Sequence, residues 1–113
     1  MDESIIEKSA IRKELRKYSK MIAAVKPEEK SAARALADRL AFIGAQLQVL
    51  ENHIAVNGVT ETYQNGATQF GKKKSGEAEL YPVLAKVHSQ LVRQLAGMAV
   101  TATEEGHSLD DYL

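Results

Sequence analysis

Between Lys8 and Lys20 the chain places Lys8, Arg12, Lys13, Arg16, Lys17 and Lys20 along one helical stretch. Cations at that density suit one chemistry above others, contact with phosphate, and Lys and Arg supply most sequence-independent affinity for nucleic acid. The plain alternative is the solvated face of a surface helix. A second basic run, Gly71-Lys72-Lys73-Lys74-Ser75-Gly76, reads as a strongly positive loop. It is not a nucleotide-cradling loop, because Gly-x4-Gly-Lys-Ser/Thr after a buried strand is missing. Nothing else in the chain has the types and spacing of a catalytic centre. His53, His88 and His107 share no metal-ligand spacing on one helix, although His53 and His88 could meet in space. Asp110-Asp111 falls in a segment with nothing to hold acid–base geometry, and the serines have no nucleophile elbow. The reading is non-enzymatic, with no catalytic residue, metal or cofactor.

The elements that must position these cations are helices. Ala33, Leu36, Leu40, Ile43, Leu47, Leu50 and Ile54 recur at alternating gaps of three and four, one apolar seam that packs lengthwise on another helix. Upstream, Ser4-Ile5-Ile6-Glu7 reads as a capping box. It opens a basic N-terminal helix with Ile11, Leu15, Tyr18, Ile22 and Val25 on one face. Lys26-Pro27 breaks that helix, and a new one restarts at Pro27, with Glu28 and Glu29 at the positive end of its dipole. It runs to about Val56 and stops at Asn57-Gly58, a length of roughly 45 Å.

Asn65-Gly66 then predicts a β-hairpin with a two-residue turn, Gln64 facing Ala67 and Tyr63 facing Thr68. A lone hairpin is marginal and needs a surface or neighbouring hairpins. A second long helix begins near Ser75 or Gly76, with Glu77 and Glu79 in its first turn and Pro82 early. Leu80, Leu84, Val87, Leu91, Leu95 and Met98 form its stripe, widened by Val83 and Val92. The fold class is mainly α: two long antiparallel helices forming a helical hairpin, preceded by a basic helix, with a short β-hairpin in the connection.

Composition agrees. A chain of 113 residues with 44% hydrophobic but only 5% aromatic content and no Trp builds a core of aliphatic side chains, which suits helices. Net charge is zero, so no global field steers the chain to a polyanion, but the charge is segregated. Residues 8–26 hold seven cations against one Glu, whereas residues 104–111 hold four acids and no Lys or Arg. Absence of Cys excludes disulfides and thiolate metal sites. No signal peptide and no apolar run of about 20 residues is present, so no membrane partner and an intracellular, cytoplasmic setting are expected. The organisation is a basic N-terminal region over 1–26, a helical-hairpin oligomerisation core over 27–100 with the hairpin and Lys-rich loop at 57–76, and an acidic flexible tail over 101–113.

The order of these elements, with "TYQNGATQFGKKKSGEAELYPVL" at its centre, resembles the small terminase subunits of tailed bacteriophages. Many such subunits carry a Tyr-x-Asn-Gly turn, a Lys-containing loop, and a helix with Pro near its start. Tyr63, Asn65, Gly66, Lys72 to Lys74 and Pro82 correspond to these features, and the resemblance is best over residues 33–98. It implies a ring-forming, non-catalytic subunit that binds double-stranded viral DNA in the host bacterium and recruits the large terminase subunit, an ATPase and nuclease. Carried onto this sequence, Lys8, Arg12, Lys13, Arg16, Lys17 and Lys20 become DNA contacts, with Lys72, Lys73 and Lys74 second. Leu36, Leu40, Ile43, Leu47, Leu50, Leu84, Val87 and Leu91 become the packing and assembly surface. Leu109, Tyr112 and Leu113 become docking contacts of the tail.

The chain departs from the family pattern in two places. Met98 to Thr103 stands where many members carry a Leu-x-Leu-Thr-Pro turn and an Arg, and the N-terminal region is short for a complete helix-turn-helix. Phosphate contact is therefore expected over base readout. Two other readings stay open: a helical-hairpin adaptor without nucleic-acid binding, and a dimeric operator-binding regulator.

Overall fold

The computed structural model describes residues 6–64, 66–67 and 69–104. Two long helices dominate, α3 over Lys30–Asn57 and α4 over Gly76–Glu104, joined by the antiparallel strands β1 (Thr60–Gln64) and β2 (Phe70–Lys74). Two short helices, α1 (Lys8–Arg16) and α2 (Ser19–Ala24), precede them, and a single 3-10 turn over Pro27–Glu29 leads into α3. The particle is a rod of 68 × 27 × 21 Å.

Local signals explain most boundaries. Proline at 27 fixes the first turn of the incoming helix, where its missing N–H costs nothing. Gly58 ends α3 with φ of +76°, and its N–H donates to the Ile54 carbonyl at 2.7 Å. Ser75 caps α4: its Oγ accepts from the Ala78 N–H at 3.1 Å, and the side chain is buried. Ser75→Ala is expected to lower the unfolding free energy by about 1 kcal/mol, measured by urea titration. The helix extends through Thr101 to Glu104, past the expected boundary at 100, because Ala99 and Ala102 are fully buried.

The core lies where four helical segments meet. Leu36, Ala37 and Leu40 of α3 pack with Leu95 and Ala99 of α4, and Tyr18, Ala24 and Val25 close the cluster. Since residues 33–40 meet residues 95–99, while Glu51 meets Tyr81, the long helices run antiparallel.

The expected single N-terminal helix is two helices. Tyr18 turns out of the helical path (φ −104°, ψ 3°), is buried, and its hydroxyl lies 3.2 Å from His88 Nε2 on α4. The break lets α1 lie on α3 while α2 reaches α4. Ser19 Oγ donates to the exposed Arg16 carbonyl at 3.0 Å, so the end of α1 is satisfied by a side chain. At its start Glu7 is the extended N-cap residue, and Ser4 of the expected capping box lies outside the described residues.

The apolar seam of α3 is likewise only half of what the helix buries. Leu36, Leu40 and Leu50 are buried and Ile43, Leu47 and Ile54 half-buried, but Ala37, Ala41, Gly44 and Ala45 are buried too. These small residues belong to a second contact face. A side chain at position 44 would run into the Glu14 carboxylate of α1, so glycine there permits the close approach of the two helices.

The hairpin forms in a different register from the one expected. Gln64 pairs with Phe70 and Tyr63 with Gly71, so Gln64 does not face Ala67; Asn65 and Thr68 lie outside the described residues. Gly66 keeps a positive φ of 112°, and Gln64 Nε2 donates to the Ala67 carbonyl at 3.2 Å, closing a wider turn by a side chain. The observed register sets Glu61 opposite Lys73, 3.4 Å apart, and lays the Tyr63 ring over Gly71, where a Cβ would come within 2.7 Å of it. A two-residue loop would lose both pairings.

Candidate nucleic-acid interface

All six N-terminal cations are exposed, and they ride on α1, the α1–α2 break and the start of α2. Their helix is held by what its other side buries. Glu14 is almost fully buried against Gly44, and its carboxylate forms an ion pair with Lys17. An acid buried in this way needs its cation, since removing one partner of a buried pair leaves an uncompensated charge. Lys17 is thereby a structural residue as much as a free contact.

The three-dimensional arrangement adds a residue that the sequence reading left out. Arg12 and Arg16 of α1 share a cleft of about 470 Å³ with Arg34 of α3, its walls completed by Leu15, Ser19, Ile22 and Asp38. Three arginines and one acid, Asp38, thus line one cleft together with Leu15 and Ile22. Guanidinium presents a planar fork of donors that matches phosphate oxygens bidentately, which an ammonium cannot do. Arg34 was visible only as a polar-face position of α3; its convergence with Arg12 and Arg16 depends on how α1 docks.

No family model, curated protein or solved structure matches the chain. Lys72, Lys73 and Lys74 do not join this cleft; they lie on β2, at the opposite ends of α3 and α4 from the core cluster. His53 and His88 do not meet either. His53 lines a small cavity with Ile6, Gln46, Val49, Leu50 and Glu77, whereas His88 faces Tyr18. Among the described residues no group of three His, Cys, Asp or Glu is placed to hold a metal, and no helix is long and apolar enough to cross a membrane. His107, Asp110, Asp111, Leu109, Tyr112 and Leu113 lie outside the described residues.

The assembly residues divide. Leu36 and Leu40 belong to the chain's own core, Leu50 is buried, and Leu84 and Leu91 are half-buried, but Val87 is exposed. With it, Leu80 and Val83 (58% exposed) form an uncovered stripe at helical spacing on α4, and Val56 and Val59 are exposed at the nearby end of α3.

Titration of Tyr18 and Lys17 has a definite sign. Burial raises the Tyr18 phenol above its ordinary pKa, with the Glu14 charge adding to it and Lys17 opposing. The hydrogen bond to Glu14 raises the Lys17 ammonium. Both groups hold their protons more tightly folded than unfolded. Their stabilisation is complete below about pH 10 and is lost as pH climbs through the raised folded-state values. A thermal-melting series should show the midpoint falling above pH 10, and Tyr18→Phe should make that fall shallower. At neutral pH the same variant should lose about 1 kcal/mol with the bond to His88.

Proposed function

We infer that the chain is a DNA-packaging subunit of the small-terminase type: a non-catalytic, ring-forming protein that binds duplex DNA through α1 and hands it to a large ATPase and nuclease subunit. The observation that carries this reading is the convergence of Arg12, Arg16 and Arg34 on one open cleft, flanked by exposed Lys13 and Lys20. Such a surface follows a phosphate backbone and needs no base contacts.

Assembly is supported by the stripe of Leu80, Val83 and Val87. The stripe is exposed along the long axis of the rod, and sister copies are the occupants that such a face accepts along its length. The acidic tail, with Leu109, Tyr112 and Leu113, is assigned to the large subunit. A helical adaptor without nucleic-acid binding would share the same stripe but has no use for the arginine cleft.

The test is fluorescence anisotropy with a duplex of random sequence across a salt series. The reading expects tight binding at low salt with a log–log slope that counts several phosphate contacts at about 0.9 each. Absence of binding at low salt would leave the adaptor.

A further inference from the structure

The resemblance treats Lys72, Lys73 and Lys74 as one basic run, but in the structure they lie on strand β2 beside the large exposed Phe70. The hairpin register sorts these residues. Side chains alternate across a strand, so Glu61 and Tyr63 share one face with Gly71 and Lys73. On that face Lys73 is held by Glu61 and the Tyr63 ring is folded over Gly71. The opposite face gathers Thr60, Thr62, Gln64, Phe70, Lys72 and Lys74. It contains no acid, Phe70 is 66% exposed, and among the described residues neither Lys72 nor Lys74 has an ion-pair partner.

We propose that this second face is a separate duplex-DNA contact, a two-stranded ribbon that lies in the major groove. The dimensions agree. Two paired strands are about 5 Å apart, and the major groove, about 12 Å wide, admits a two-stranded ribbon. Lys72 and Lys74, two residues apart on a strand, are separated by about 7 Å, close to the spacing of consecutive phosphates. Thr60 and Thr62 present hydroxyls that donate or accept at base edges, and Phe70 offers the apolar contact that a thymine methyl takes. The other face offers less, because its one lysine, Lys73, is already engaged by Glu61. This contact rests on the reading of the chain as a duplex-binding subunit, but it uses different residues at the far end of the rod from the core cluster.

The experiment uses the full chain and a duplex of about 30 base pairs, read by anisotropy over a salt series, with particle mass and helical circular dichroism recorded for each variant. Lys72→Gln with Lys74→Gln is expected to weaken binding on the order of 50-fold near 0.1 M salt and to lower the salt slope by about two. Lys73→Gln, whose charge is already engaged by Glu61, is expected to leave the slope within half a unit of the parent. Phe70→Ala should weaken binding without changing the slope. The proposal is overturned if the parent binds duplex DNA and the double variant matches it, or if Lys73→Gln weakens binding as much as the double variant does. It is also overturned if the double variant changes the particle mass, which would make the face an assembly contact. A parent that binds no DNA overturns both this contact and the functional reading. A parent that binds through the cleft alone overturns only this one.

Discussion

Reversing Arg12, Lys13 and Arg16 to Glu together is expected to lower affinity for duplex DNA on the order of 10³-fold near 50 mM salt, and to reduce the salt slope by about three. All three side chains are exposed, so the loss is one of binding and not of folding. Lys17 is left out of the set deliberately. It is the ion-pair partner of the buried Glu14, and a Glu at 17 would place two carboxylates together beside Gly44. Arg34→Glu alone should reproduce about one unit of the slope change, although it sits on a different helix, because it opens on the same cleft. An unchanged slope in the triple variant would mean that α1 merely presents a solvated face.

Leu40→Ala is expected to cost about 2–5 kcal/mol of stability. Leu40 is fully buried in the cluster that joins α3 to Leu95 and Ala99 of α4 and to Tyr18 and Val25 of the N-terminal segment. Its removal leaves a cavity at the one place where all the helical elements meet, so surrounding groups have little freedom to collapse into it. Val87→Ala, an equally apolar truncation on the uncovered stripe, should cost the isolated fold little. Denaturant titrations must be run at one fixed chain concentration, since assembly adds to apparent stability by mass action.

The contrast between these two positions follows what the sequence made legible. Chain punctuation was readable from local chemistry: Pro27 opens a helix, Asn57-Gly58 closes one, and the next starts near Ser75 or Gly76, where the structure adds the Ser75 cap. The α-helical hairpin followed from apolar spacing on α3 and α4. Features decided by distant partners were not readable. Lys17-Tyr18-Ser19 contains no helix breaker, and the chain bends there because Tyr18 is drawn to His88, seventy residues away. Small residues weigh little in a hydrophobic pattern, so the burial of Ala37, Ala41 and Ala45, and the close approach of α1 at Gly44, were hidden until the helices were packed. The Asn-Gly pair signalled a hairpin but not its register, which the Tyr63–Gly71 and Glu61–Lys73 pairs decide across the strands. The basic residues of α1 were plain in the sequence, whereas the cleft needed Arg34 brought in by packing.

Assembly is the claim on which the functional reading turns, and the mass of the particle in solution tests it most directly. Light scattering at micromolar concentration should give a discrete particle of many chains, each contributing 12.4 kDa. A mass of one or two chains would contradict the account.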